Sequence, residues 1–229
     1  MVSINFDKKC LFLHLPKNAG TTIQIIISEL FDFIPYNSLS TEYKKYVYSY
    51  NMSLPQYYRQ EKILNSINLT VEEIDSYDKI TFCRNPYTRF ISGWKYMLQN
   101  NCISIESLQE LIEKKDLLST LVYNHIFSTQ CYHIDNWNFK YIGRFENLIP
   151  DLKAIMLDIF KEINMSSNIN QIKDIHHNKT NNYGSILQYY TIDILLFVNS
   201  NFKCDFERFN YPIANSLEEL ELLINSLSL

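Results

Sequence analysis

The protein has 229 residues, of which 46% are apolar, and a formal net charge of -4. That length suits a single domain with a substantial core, and the mild negative charge excludes the broad basic field that attracts nucleic acid. No apolar run approaches the roughly 18 residues that span a membrane, and no secretory leader pattern opens the chain. We therefore expect a soluble, cytoplasmic protein without stable membrane insertion, of unspecified oligomeric state.

The first predicted elements are a strand and a helix joined by a short loop. The run from Cys10 to Leu15 is almost wholly apolar and ends at Pro16, which is typical of a strand buried on both faces of a parallel sheet. From Thr21 onward, apolar residues recur every three to four positions, which predicts a helix. Residues 31–76 are rich in Tyr, Asn and Ser and predict an insertion rather than sheet elements.

The order of strand, loop and helix recurs further along the chain. Residues 79–84 predict a second strand, after which Asn85 as cap and Pro86 predict a helix start. Residues 139–145 predict a third strand, followed by an amphipathic helix from Leu148. Three more helices are predicted from Ser107, over 192–199 and from Ser216. Alternating strands and helices predict an α/β protein, a three-layer α/β/α sandwich with a mainly parallel sheet.

The loop after the first strand has the composition of an anion-binding site. It reads PKNAGTT over residues 16–22 and enters a helix, so backbone N–H groups and the helix N-terminus converge. Gly20 permits close approach, and Lys17 adds a positive charge. Because Lys17 precedes Gly20 by three positions, the loop differs from the nucleoside-triphosphate loop, whose Lys directly precedes the hydroxyl residue. The alternative is a tight turn with Thr21 or Thr22 as helix cap.

A second candidate anion site follows the second predicted strand. Arg84 closes that strand, and Ser92 lies about two turns into the following helix. A guanidinium offers phosphate a planar fork of donors, and a hydroxyl adds one more bond. The alternative is that Arg84 pairs with a carboxylate while Ser92 packs against the sheet.

Four segments resemble one enzyme family. HLPKNAGTT (14–22) resembles the 5'-phosphosulfate motif of sulfotransferases that use 3'-phosphoadenosine 5'-phosphosulfate (PAPS), and FCRNPYTRFISGWKYM (82–97) resembles the 3'-phosphate motif of Golgi-type carbohydrate sulfotransferases. YIGRFENL (141–148) and CDFERFNY (204–211) complete a resemblance to sulfotransferase family 2. That family includes chondroitin 4-O-, HNK-1 and heparan sulfate 2-O-sulfotransferases.

The resemblance implies a PAPS-dependent sulfotransferase with a P-loop-like phosphosulfate loop, whose nucleotide product is 3'-phosphoadenosine 5'-phosphate (PAP). Arg84 and Ser92 would bind the 3'-phosphate. The implied contacts of the phosphosulfate are Lys17, Asn18, Ala19, Gly20, Thr21 and Thr22, in which Ala19 and Thr22 replace the commoner Gly and Ser. A later loop would close over the nucleotide through Asn178, Lys179 and Thr180, unless this loop is simply solvated. The family needs no metal, and the widely spaced cysteines form no C-x-x-C pair.

Sulfuryl transfer needs one group that stabilises charge on the leaving phosphate and another that takes the acceptor's proton. We assign the first role to Lys17. For the second we favour His125, because its segment resembles an acceptor-side stretch of the family and an imidazole titrates near neutral pH. Glu61 is the alternative base, in which case His125 is a partly buried structural residue.

The resemblance also implies a glycan or oligosaccharide acceptor, with residues 31–76 on the acceptor side. The lack of a secretory leader pattern leads us to expect a bacterial enzyme. A neutral or weakly charged sugar suits the acidic chain. Two other functions compete. A P-loop nucleotide kinase needs a magnesium-binding carboxylate at a strand end, where this chain has Arg84 instead. A non-catalytic module that only binds PAP or PAPS would have no need of Lys17.

Overall fold

The structure, a computed structural model, describes residues 2–35, 73, 75–135, 137–161, 166–172 and 186–227. The chain divides into two compact units, each made of two stretches: Met1–Cys83 with Asp135–Asn178, and Arg84–Ile134 with Lys179–Leu229. Neither unit is continuous in sequence, and the single domain expected from the sequence stays a prediction. Most of the expected insertion over 31–76 lies outside the described residues.

The first unit contains a sheet of five strands among its described residues. They are β1 (Val2–Asn5), β2 (Cys10–Leu13), β3 (Ile34–Pro35), β4 (Asp78–Cys83) and β5 (Tyr141–Arg144), in the spatial order β3-β1-β2-β4-β5. The core strands β2, β4 and β5 are parallel, whereas β1 is antiparallel to both of its neighbours. The carboxyl ends of the three parallel strands therefore lie along one edge of the sheet.

Helices account for most of the remaining described residues. They are α1 (Gly20–Phe31), α2 (Pro86–Gln99), α3 (Leu108–Glu113), α4 (Thr120–Ile126), α5 (Gln130–Ile134), α6 (Leu148–Ile159), α7 (Ser166–Gln171), α8 (Ile192–Asn201), α9 (Lys203–Arg208) and α10 (Leu217–Leu227). Short 3-10 helices cover Lys115–Leu117, Phe145–Asn147 and Ile186–Tyr189. The strands and helices confirm the predicted α/β class. In the described part of the chain, no helix has the length and apolarity needed to cross a membrane.

Helices α1, α6 and α7 form the core of the first unit together with one face of the sheet. Phe12 and Ile80, which are register partners on β2 and β4, pack in one buried cluster with apolar residues of α1 and α6. Leu11 points to the other face, where it packs with Val2 and Trp137. β2 is therefore buried on both faces, as its nearly continuous apolar sequence predicted.

The second unit is helical, and α2 is central to it. Phe90 of α2 is fully buried and its ring lies 5.8 Å from that of Phe127 and 5.9 Å from that of Phe202. Gly93 allows α4 to approach, because a Cβ at this position would lie 2.5 Å from the backbone oxygen of His125. Aromatic packing thus fixes α2 within its unit.

The predicted helix starts are confirmed by their caps. The side chain of Asn85 accepts a hydrogen bond from the backbone N–H of Tyr87 at 2.9 Å, with Pro86 at the first helical position. Ser107 and Ser216 cap α3 and α10 in the same way. The predicted strand from Cys10 is shorter than expected, because the chain leaves the sheet after Leu13.

Candidate active site

The loop between β2 and α1 has a backbone conformation that few residues adopt. Lys17 has a φ of 69° and Ala19 a φ of 57°, both in the left-handed region. For a residue with a Cβ this conformation costs about 1–2 kcal/mol, and such strain concentrates at functional sites. Left-handed residues in a tight loop also turn successive N–H groups toward a common point, which favours an anion.

One side-chain hydrogen bond fastens this loop to the sheet, and a second holds the end of the strand before it. Asn18 is only 1% exposed, and its Nδ2 donates to the carbonyl oxygen of Phe82 on β4 at 2.7 Å. The Oγ1 of Thr81 donates to the carbonyl oxygen of Leu13, the last residue of β2, at 3.0 Å. The side-chain amide of Asn18 thus anchors the loop, so that its predicted contact with the phosphosulfate would come from its backbone.

Gly20 is required by a close approach at the start of α1. A Cβ at this position would lie 1.9 Å from Cδ2 of His14, so an alanine would have to displace the imidazole ring. His14 therefore supports the loop, as its place in the motif suggests. Ala19 is the N-cap and offers no side-chain oxygen to the first turn. Anions are stabilised at such a helix N-terminus, next to which Thr21 is half-buried and Thr22 buried.

Arg84, the first residue after β4, is held by both its backbone and its side chain. Its backbone N–H donates to Oε1 of Gln130 at 2.8 Å, and its carbonyl oxygen accepts from Nε2 of Gln130 at 2.9 Å. Its Nε donates to Oγ1 of Thr88 at 3.0 Å. Ser92 lies further along α2 and is buried. No local sequence pattern predicts this role of Gln130, which ends the segment 123–130 around His125.

Arg89, the second arginine in the segment 82–97, is a structural residue. It is 1% exposed, and its Nη1 donates to the carbonyl oxygen of Ser128 at 2.9 Å. Burial lowers the pKa of Arg89, while the negative charge of Asp205 acts in the opposite direction. Its guanidinium also lies 6.0 Å from the ring of Phe202. Arg89 is thus an internal cation that compensates a buried carboxylate.

His125, the predicted base, lies in the last turn of α4 and is half-buried. Its Nδ1 is 2.9 Å from the carbonyl oxygen of Leu121, and its ring stacks on Tyr96 at 5.7 Å. Because a carbonyl oxygen only accepts, Nδ1 carries the proton in this bond, and the neutral ring has its lone pair on Nε2. His125 therefore has the tautomer that a base requires at Nε2.

Four predicted site residues lie outside the described part of the chain. They are Glu61, Asn178, Lys179 and Thr180. The alternative base and the loop expected to close over the nucleotide therefore stay predictions.

Cys131, Cys204 and Asp205 bring three possible metal-ligand atoms within 4.8 Å of one another. The Asp205 carboxylate, however, already accepts hydrogen bonds from backbone N–H groups of Gln130 and Cys131, both at 2.8 Å. Burial raises the pKa of the Cys131 thiol, whereas a metal binds the thiolate. The donor set fits a carboxylate that caps the start of α5 better than it fits a metal centre.

A strained loop that enters a helix at the carboxyl edge of parallel strands defines an α/β protein of the class that binds phosphate-like anions. The model of the Sulfotransferase family matches residues 2–212. The chain therefore belongs to the sulfotransferase family, whose members are enzymes that transfer sulfuryl groups. No curated protein and no solved structure gives a significant match. The narrower resemblance to carbohydrate sulfotransferases stays a prediction.

Proposed function

We propose that the protein transfers the sulfuryl group of PAPS to a hydroxyl group of a carbohydrate acceptor. The observation that carries this proposal is the loop over residues 14–22, in a chain that belongs to the sulfotransferase family. Its left-handed residues, Lys17 and Ala19, lead directly into the N-terminus of α1. A phosphosulfate presents oxygens that accept hydrogen bonds from such backbone donors and from the hydroxyls of Thr21 and Thr22.

The 3'-phosphate distinguishes PAPS from common nucleotides, and we assign it to Arg84 and Ser92. Arg84 is held by bonds to its backbone and to its Nε, so its guanidinium is preorganised for a planar, bidentate contact with phosphate. Ser92 lies on the helix that follows, with its hydroxyl as a further donor. A nucleotide kinase needs a magnesium-binding carboxylate at such a strand end, where this chain has Arg84.

The chemistry follows from these roles. When bound, PAPS supplies a sulfur atom activated by a phosphate leaving group. As the acceptor oxygen bonds to sulfur, the bond from sulfur to the phosphate oxygen breaks, and the ammonium of Lys17 stabilises the negative charge on that oxygen. Nε2 of His125 takes the proton of the acceptor hydroxyl. The products are a sulfate ester, PAP and a protonated base.

The carbohydrate acceptor and the cytoplasmic location are parts of the same proposal. The acceptor rests on the resemblance of residues 82–97 to the carbohydrate enzymes, and the net charge of -4 favours a neutral or weakly charged glycan over a highly sulfated one.

Nucleotide binding and transfer test this proposal together. PAP at about a hundred times its Kd should stabilise the protein by about 2.7 kcal/mol, which corresponds to a rise of several degrees in Tm. Labelled PAPS should then transfer its sulfuryl group to one or more members of a glycan panel, without magnesium. No shift with saturating PAP would overturn the donor assignment. A shift without transfer to any acceptor favours the non-catalytic module, and magnesium-dependent binding favours the kinase.

The base is tested by His125→Ala. We expect kcat to fall by about 100-fold or more, the usual contribution of a positioned base, while the Kd of PAP is unchanged. Glu61→Gln is measured in parallel. If His125→Ala keeps full activity and Glu61→Gln abolishes it, the role of the base passes to Glu61.

A further inference from the structure

The buried side chain of Gln130 holds both the N–H and the carbonyl group of Arg84. Gln130 is 0% exposed, and its amide oxygen and nitrogen bond to the N–H and the carbonyl oxygen of Arg84 at 2.8 and 2.9 Å. Two hydrogen bonds to the N–H and carbonyl of one residue fix the rotation of its backbone. The direction in which the Arg84 side chain leaves the chain is therefore set by Gln130.

Asp205 in turn determines which way the Gln130 amide points. Its Oδ2 accepts from the backbone N–H of Gln130 at 2.8 Å and from Nε2 at 3.3 Å, while Oδ1 accepts from the N–H of Cys131. A carboxylate oxygen cannot donate, so the amide NH₂ must face Asp205 and the amide oxygen must face the N–H of Arg84. Asp205 is 0% exposed, and a buried, connected network of this kind favours a single arrangement.

The side chain of Arg84 is fixed by a separate contact on α2. Its Nε donates to Oγ1 of Thr88 at 3.0 Å, and that hydroxyl donates to the carbonyl oxygen of Asn85 at 3.1 Å. Backbone and guanidinium are thus oriented independently, the first by Gln130 and the second by Thr88.

We propose that Gln130 and Asp205 are positioning residues that aim Arg84 at the 3'-phosphate of the donor nucleotide. This inference rests on the proposed function, in which Arg84 binds that phosphate. Gln130 and Asp205 act through the backbone of Arg84 and not by contact with the nucleotide. Their loss should therefore weaken binding only of nucleotides that carry a 3'-phosphate, which a merely structural role would not do.

The test compares PAP with adenosine 5'-monophosphate, which lacks the 3'-phosphate. Gln130→Met removes both hydrogen bonds to Arg84 with little change in side-chain length. We expect the Kd of PAP to rise about tenfold, or ~1.4 kcal/mol, as a well-aimed charge-assisted contact is weakened. The Kd of adenosine 5'-monophosphate should not change. In an Arg84→Ala background, Gln130→Met should leave the Kd of PAP unchanged, since coupled residues are not additive.

Gln109→Met is the matched control, because Gln109 is exposed and its side chain donates to Oε1 of Glu113 at 3.1 Å, away from Arg84 in the sequence. It should bind both nucleotides like the wild type. A folded Gln130→Met protein that binds PAP normally, or that loses affinity for both nucleotides equally, overturns the positioning role. If Gln130→Met does not fold, Gln130→Glu is measured in the same way, and loss of the fold in both variants also overturns it. Wild-type protein that does not bind PAP refutes the proposed function instead.

Discussion

Replacing Lys17 with alanine is expected to lower kcat by about 100- to 1,000-fold, the usual cost of deleting a preorganised donor to a developing negative charge. The fold should persist, since alanine and lysine both carry a Cβ and bear a similar strain at the left-handed φ of 69°. The Kd of PAPS should change much less than kcat, because the negative charge on the leaving oxygen develops only as its bond to sulfur breaks. Single-turnover transfer from labelled PAPS measures the loss of catalysis, and the Tm measures any loss of stability.

Lys9→Ala provides a matched control for this variant. Lys9 also has a left-handed backbone, with a φ of 47°, but it is exposed in the turn between β1 and β2. The same substitution in the same conformation should leave kcat unchanged. A folded Lys17→Ala protein with near-normal turnover would show that another group stabilises the leaving phosphate.

The elements around the site were predictable because their signals are local. β2 is a short apolar run, and α1 follows it within a few residues with regular apolar spacing. Two adjacent residues, Asn85 and Pro86, indicate the start of α2. These segments also carry the residues by which the family was recognised.

Other elements lack such signals. β1 has only four residues, which is the shortest run that indicates a strand. β3 has two residues and pairs with β1 about 30 positions earlier, a partner that no short sequence window contains. The helices α5 and α9 have five and six residues, which is too short to establish a helical period. Their place in the second unit depends on tertiary packing instead.

The candidate site likewise contains residues marked by a local motif and residues whose role depends on long-range contacts. Lys17 and Gly20 stand within one short motif, and so do Arg84 and Ser92 in another. Gln130, in contrast, bonds to Arg84, which lies 46 positions before it, and to Asp205, which lies 75 positions after it. Asp205 falls in a segment that resembles the family, but its function as an acceptor for the start of α5 depends on the fold. Sequence thus indicated which groups would touch the donor, and not what holds them.

Arg89→Met is expected to destabilise the protein by about 3 kcal/mol or more, the range found when one partner of a buried charge pair is removed. Arg89 is 1% exposed, and Asp205 is 0% exposed. Methionine fills much of the volume but leaves the carboxylate of Asp205 without the positive charge of Arg89. It also removes the donor to the carbonyl oxygen of Ser128. Urea unfolding should show a lower midpoint with an unchanged slope.

Arg208→Met separates the effect of burial from that of the substitution itself, because Arg208 is exposed at the end of α9. Surface changes of this kind usually alter stability by less than about 0.5 kcal/mol. If Arg89→Met and Arg208→Met had the same small effect, burial of Asp205 without Arg89 would be tolerated, and Arg89 would lose its structural role. A large loss in Arg89→Met alone would instead show that the buried charge of Asp205 depends on this cation. The same carboxylate accepts the hydrogen bonds of Gln130. The stability of the second unit and the orientation of Arg84 therefore both depend on Asp205.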